Sequence, residues 1–270
     1  MLRRRSLALF PLLLLALCCT PSCGSAQAVR RGQASPPEPI SGVPAWIREA
    51  VASGTRDQAD KALDAGRKPA ETLAFFRVYP AMKVAELGAG GGYTSELLAR
   101  AVGHDGHVYG QNSQFILERF AEKPWSERLA KPEMANVTRL DLPFDAPFPA
   151  GLNDLDLVVN VLFYHDTYWQ GVDRAAMNTA IFQALRPGGL YGIVDHSARE
   201  GDGDTAVKTF HRIEERLVRQ EIEAAGFELI DEADFLRNPA DTRDWNDAPS
   251  AAGERRGTSD RFVLLFMKPR

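Results

Sequence analysis

The sequence predicts an α/β domain: a mostly parallel sheet with helices on both faces. Short apolar runs rich in strand-forming residues alternate with stretches of helical periodicity, and a glycine-rich turn joins the first such run to the helix after it. The chain has 270 residues, and the part behind its N-terminal leader is long enough to bury one sizeable core.

In chain order, DQADKALDAGRK and PAETLAFF read as helices ahead of the first strand, placed to pack over the functional edge of the sheet. Seven strands follow: KVAEL (83–87), HVYG (107–110), NVTRL (136–140), LDLVVNV (155–161), LYGIVD (190–195), FELI (227–230) and RFVLLFM (261–267). Between them lie the helical patterns YTSELLARAV, SQFILERF and AAMNTAIFQAL. LRPGG, with its proline and two glycines, is the expected stop of the last of these. From Val207 to Leu229 one long amphipathic helix is expected, with Phe210, Ile213, Leu217, Val218 and Ile222 on its apolar stripe. The last two strands, joined by a long irregular segment, are candidates for a hairpin at a sheet edge.

The N-terminus reads differently. Three arginines precede an apolar run from Leu7 to Cys19, and Ala26 and Ala28 bracket Gln27 as a small-residue cleavage site. Residues 1–28 are therefore expected to be a signal peptide, and 29–44 a flexible Pro-rich linker. A single domain of residues 45–270 follows, its first 35 residues or so forming a helical cap. The protein is expected to be exported and periplasmic after cleavage, with no stable membrane insertion. The alternatives are an anchor formed by the uncleaved segment or a lipid on one of its cysteines. Cys18, Cys19 and Cys23 all lie in this leader, so a cleaved chain has neither disulfides nor a cysteine nucleophile. Losing the leader's three arginines takes the net charge from −4 to −7, which gives no electrostatic reason to expect nucleic acid as a partner.

The glycine turn carries the chemistry. A strand, then glycines, then a helix N-terminus lets a ligand approach the backbone at the positive end of a helix dipole. The dinucleotide fingerprint G-x-G-x-x-G would need a small residue where Tyr93 stands, which speaks against a nicotinamide oxidoreductase. Glu86-x-Gly88-x-Gly90-x-Gly92 instead fits E/D-x-G-x-G-x-G, and here the chain resembles the class I S-adenosylmethionine-dependent methyltransferases. It is especially similar to a group of signal-peptide-bearing bacterial predicted methyltransferases, through DAGRKPAETL, ELGAGGGY, NVLFYHDTYW, GVDRAAMN, VDHS and LRNPADTRDW. The resemblance implies a Rossmann-like seven-stranded sheet with an antiparallel last strand. It also implies S-adenosyl-L-methionine as cofactor and methyl transfer to the O or N nucleophile of a small molecule.

The same resemblance assigns cofactor residues by position. Glu86 would meet the cationic methionine portion, and Gly88, Ala89, Gly90, Gly92 and Tyr93 would lie beneath the cofactor. Gln111, with Asn112 beside it, stands where the family has an acid for the ribose hydroxyls, a departure that removes the charge. Asp141 would accept from the adenine amino group, or cap its own turn. Asn160 would face the amino-acid moiety or the methyl.

An O or N nucleophile must lose a proton, so a base is expected near the ends of the fourth and fifth strands. Tyr164, His165 and Asp166 lie at one, Asp195 and His196 at the other. His165 or His196 is the candidate base and Asp166 or Asp195 its orienting partner, with Tyr164, Tyr168 and Trp169 shaping the substrate pocket. His211 and Arg212 could reach the same crevice, and Arg237 and Arg243 could face an acidic substrate. The four His and Asp side chains could also hold a divalent ion, but their spacing matches no metal motif, and no metal is assigned. A binding domain of this fold without catalysis is the non-enzyme alternative.

Overall fold

The computed structural model describes residues 38–39 and 41–270, so the expected signal peptide and most of the linker lie outside the described residues. One seven-stranded sheet has the order β3-β2-β1-β4-β5-β7-β6. Its strands are β1 (Lys83–Leu87), β2 (His107–Asn112), β3 (Val137–Asp141), β4 (Leu155–Val161), β5 (Leu185–His196), β6 (Glu228–Ala233) and β7 (Arg261–Met267). Six strands run parallel and β7 runs antiparallel to both neighbours, as expected from the sequence. The last two strands do pair antiparallel, but β7 inserts between β5 and β6 and leaves β6 at the edge.

The helices that cover the sheet are α1 (Ala45–Ala52), α2 (Pro69–Phe75), α3 (Tyr93–Val102), α4 (Glu122–Leu129), α5 (Arg174–Ala184) and α6 (Glu215–Ala224). Asp173 caps α5 by accepting from the Ala176 N–H at 3.0 Å, satisfying one of the orphan donors of a helix start. Strands β1, β4, β5 and β7 are buried almost throughout, which is why they read as continuous apolar runs rather than alternating ones.

LRPGG does stop the helix, which ends at Ala184, but β5 already begins at Leu185, which pairs with Leu155 ahead of a register shift, rather than at Leu190. Two further sequence expectations are corrected. The expected cap helix over DQADKALDAGRK is two single turns, Gln58–Lys61 and Asp64–Arg67. Lys68 then takes a left-handed conformation (φ +43°) before α2. The long amphipathic helix is also broken. A turn at Val207–Phe210 ends in His211 with φ +58°, Ile213 bridges to Ser197, and only then does α6 start.

That break is held by a buried ion pair. Arg212 is fully enclosed, donates to Asp241 at 2.7 Å and to the Ser197 carbonyl, and lies over the Trp245 ring. Asp241 also accepts from Trp245 Nε1 and from the Asp260 and Arg243 N–H groups. A paired buried charge with all its hydrogen bonds made pins the irregular segment before β7 to the end of the sheet.

Candidate active site

The turn after β1 is left-handed at Gly88, Gly90 and Gly92 (φ +68°, +55° and +83°), a conformation that side chains disfavour. The three differ in what surrounds them. A Cβ at Gly88 would collide with the Phe163 ring and one at Gly92 with Trp125, so both glycines serve packing. At Gly90 nothing lies within 4 Å of that position. Gly90 thus opens onto a cavity of about 610 Å³, which Glu86, Gly88, Ala89 and Tyr93 also line.

The end of β2 holds this turn in place. Gln111 Oε1 accepts from the Gly88 N–H (3.2 Å), the Gln111 carbonyl from Ala89 (2.9 Å) and Asn112 Oδ1 from Gly90 (2.8 Å). The Gln111 amide nitrogen donates to the Leu142 carbonyl, and both side chains are buried. Both side-chain amides at the expected ribose position are therefore engaged within the protein. Asp141 is exposed at the end of β3, paired with Arg139 at 2.7 Å and outside the cavity. Asn160 is enclosed in β4, near the Tyr191 hydroxyl, and its amide atoms reach no well-formed hydrogen bond among the described residues.

Glu86, the penultimate residue of β1, is only 3% exposed, accepts from Ser95 Oγ and lines the cavity. Burial raises its pKa to about 7, against the hydrogen bonds from Ser95 and Thr94 that favour the charged form. Tyr93 donates to Asp64 Oδ1 at 2.6 Å, and Arg67 stacks on its ring at 4.4 Å. The Arg67 guanidinium makes no hydrogen bond or ion pair among the described residues, and Arg67 lines the cavity. Across from it, a π-helical turn at Leu117–Ala121 presents Phe120, 66% exposed, which with Ile116 and Trp169 forms an apolar wall.

A second cavity of about 280 Å³ adjoins the first and shares Leu63, Arg67, Leu162, His211, Pro249 and Arg256 with it. His196 lines it. Its Nδ1 lies 2.6 Å from Asp247 Oδ2 and 2.9 Å from Ser259 Oγ, while Nε2 makes no hydrogen bond among the described residues. Burial lowers its pKa, so the ring is neutral at pH 7. The carboxylate beside His196 is thus Asp247, from the irregular segment before β7, which sequence reasoning did not single out.

Asp195 serves His165 instead. His165 is fully buried, with Nδ1 at 2.6 Å from Asp195 Oδ1, its backbone N–H on Asp195 Oδ2, and Nε2 3.3 Å from Asp166 Oδ1 without hydrogen-bond geometry. Burial opposes a charge on this ring, but Asp195 and Asp166 outweigh it and raise the pKa to about 10. His211, reached through the helix break, stands with its ring centroid 4.0 Å from that of His165, and burial lowers its pKa to about 4. Tyr164 turns away: its hydroxyl donates to Glu221 and accepts from Asn178 in the α5 and α6 layer. Arg237 and Arg243 both pair with Asp260 and line a separate surface cavity.

No family model matches the chain, and no curated protein sequence matches it. Solved structures do. A methyltransferase from Aquifex aeolicus described as SAM-dependent superposes with a TM-score of 0.56 at 18% identity, covering 82% of this chain and 96% of that one. The fold is shared with S-adenosylmethionine-dependent methyltransferases. Aeropyrum pernix fibrillarin, solved with natively bound S-adenosyl-L-methionine, gives 0.51 at 14% identity over 76% of each chain. The [4+2]-cyclase SpnF gives 0.54 at 17% identity, over 85% of this chain and 99% of its own. One fold thus carries more than one reaction, and function rests on the site.

The buried Glu86 gives a signed expectation. Its carboxyl keeps in the folded state a proton that the unfolded chain releases near pH 4.5, so its contribution to stability falls as pH rises to about 7 and is level above. Urea unfolding of wild type and Glu86→Gln should show the variant gaining on the order of 3 kcal/mol relative to wild type across that window. A pH-independent difference would contradict this.

Proposed function

We propose that the chain is an S-adenosylmethionine-dependent methyltransferase acting on an O or N nucleophile of a small molecule. One observation carries the reading: Gly90 opens without obstruction onto a cavity that also holds a buried carboxylate at the end of β1. The residues present suit this cofactor. Glu86 offers negative charge to a cationic methionine portion, the Gly90 backbone permits close approach, and Ile116 and Phe120 offer an apolar face to a base. Bound there, the cofactor supplies a methyl carbon activated by its sulfonium.

The smaller cavity is the place for the acceptor. Its volume suits a compact molecule, and Arg67 and Arg256 bring positive charge to an acidic group on it. His196 is the general base. Ser259 hydrogen-bonds Nδ1 and Asp247 lies beside it without hydrogen-bond geometry; with the proton on Nδ1, the Nε2 lone pair is left to take the acceptor's proton. The leader pattern at residues 1–28 supports an activity outside the cytoplasm. Among the described residues, no helix is long and apolar enough to cross a membrane.

Calorimetric titration of the purified protein with S-adenosylmethionine, S-adenosylhomocysteine and NAD should give micromolar binding of the two sulfur nucleosides alone. Gly90→Leu should weaken it at least tenfold with the fold retained, and preference for NAD would overturn the assignment. With an acceptor found among small acidic alcohols and amines, His196→Gln should lower kcat roughly 100-fold or more. Nucleoside affinity should not change, and an unchanged kcat would remove His196 from catalysis. Cell fractionation with N-terminal sequencing should find a periplasmic chain beginning at Val29. Intact Met1 on cytosolic material would refute export.

A further inference from the structure

We propose that His165, Asp166 and His211 bind one divalent first-row transition-metal ion on the wall of the larger cavity. Their donor atoms all lie within 4.8 Å of one another. Asp166 Oδ1 is 3.3 Å from His165 Nε2 and 3.7 Å from His211 Nδ1. Donors about 2.1 Å from a common ion, at tetrahedral or octahedral angles, stand roughly 3.0 to 3.5 Å apart, so little movement closes the set.

His165 is built as a ligand. Both oxygens of Asp195 fix it, one at Nδ1 and one at its backbone N–H, while Nε2 is buried without a hydrogen bond among the described residues and faces Asp166. A carboxylate on the far nitrogen of an imidazole orients the ring and makes the near nitrogen a better donor, the usual arrangement behind a metal-bound histidine. Asp166 is itself held by Trp169 Nε1 at 2.5 Å.

His211 supplies the second sign. It adopts φ +58° and ψ +46°, uncommon for a residue other than glycine, and this interrupts a helix that the apolar pattern would otherwise continue. The interruption brings its ring edge-on to His165. Backbone strain that places a side chain on a buried donor is typical of functional positions. Asp57, Asp60 and Glu96 also cluster, but Arg128 and Lys131 already neutralise them.

Two imidazoles and one carboxylate, with no thiolate, select ions such as Zn²⁺, Co²⁺ or Fe²⁺ over Mg²⁺ or Ca²⁺. Asp166 and His211 line the cavity, so the coordination positions left over face its interior and would take water or an oxygen donor of a small molecule. The site needs no nucleoside and stands independently of methyl transfer.

The test is titration of chelator-stripped full-length protein with Co²⁺, without nucleoside, followed by visible absorption. One ion per chain is expected, with d–d bands that Zn²⁺ abolishes by competition. His211→Ala should weaken binding more than tenfold. So should His211→Asn, which tolerates the left-handed backbone and guards against misfolding, as judged by circular dichroism. Asp195→Asn should weaken it about 10- to 100-fold, and His104→Ala, on the exposed turn before β2, should not. No saturable binding below about 100 µM, or equal affinity in wild type and the His211 variants, would overturn the proposal.

Discussion

Two side-chain amides at the end of one strand hold the backbone of the turn beside it, and the site is built on that attachment. Gln111 and Asn112 accept from the Gly88 and Gly90 N–H groups, and Asn112 donates back to the Gly90 carbonyl at 3.1 Å. Without those partners, the two part-buried N–H groups would each lose a hydrogen bond within the protein, at about 0.5 to 1.5 kcal/mol apiece. From the other side, Arg128 donates to the Gly91 carbonyl at 2.5 Å and to Asp60, while Tyr93 bonds Asp64. The turn is fixed between sheet and cap, so the floor of the cavity is preformed and ligand binding need not order it.

The crevice holds three histidines in three electrostatic settings. His165 lies between two carboxylates and stays charged, His211 beside it is pushed toward neutrality, and His196 is neutral with Asp247 at its back. The rings lie with centroids 4.0 to 6.0 Å apart, yet His165 and His211 shift in opposite directions: Asp195 and Asp166 favour the charged form of His165, while burial and the neighbouring His165 disfavour it on His211. In the metal-bound form proposed above, the ion replaces the proton on His165 Nε2, while His196 keeps its own lone pair.

All seven strands were legible in the sequence, and β1, β4, β5 and β7 most plainly, because burial on both faces leaves uninterrupted apolar runs. The glycine turn was legible too, since Gly90 and Gly92 stand where the backbone turns left-handed. The break at His211 was not: Phe210, Ile213 and Leu217 keep helical spacing across it, and nothing in a histidine announces a positive φ. Asp247 was invisible for another reason. It lies in an irregular stretch without periodicity, positioned by the Arg212 and Asp241 ion pair rather than by local propensity. The partnerships crossed as well, with Asp195 serving His165 although it adjoins His196 in sequence. Neighbours along a strand face opposite ways, so adjacency in sequence did not reveal the pairing.

The most direct test of the central claim, that the Gly90 cavity is a nucleoside site, is a crystal structure of the protein grown with S-adenosylhomocysteine. The account predicts difference density with the amino-acid end beside Glu86 and Gly90, the base against Ile116 and Phe120, and the sulfur facing the cavity of His196. Density for the nucleoside elsewhere on the protein, with the Gly90 cavity left to solvent, would contradict it.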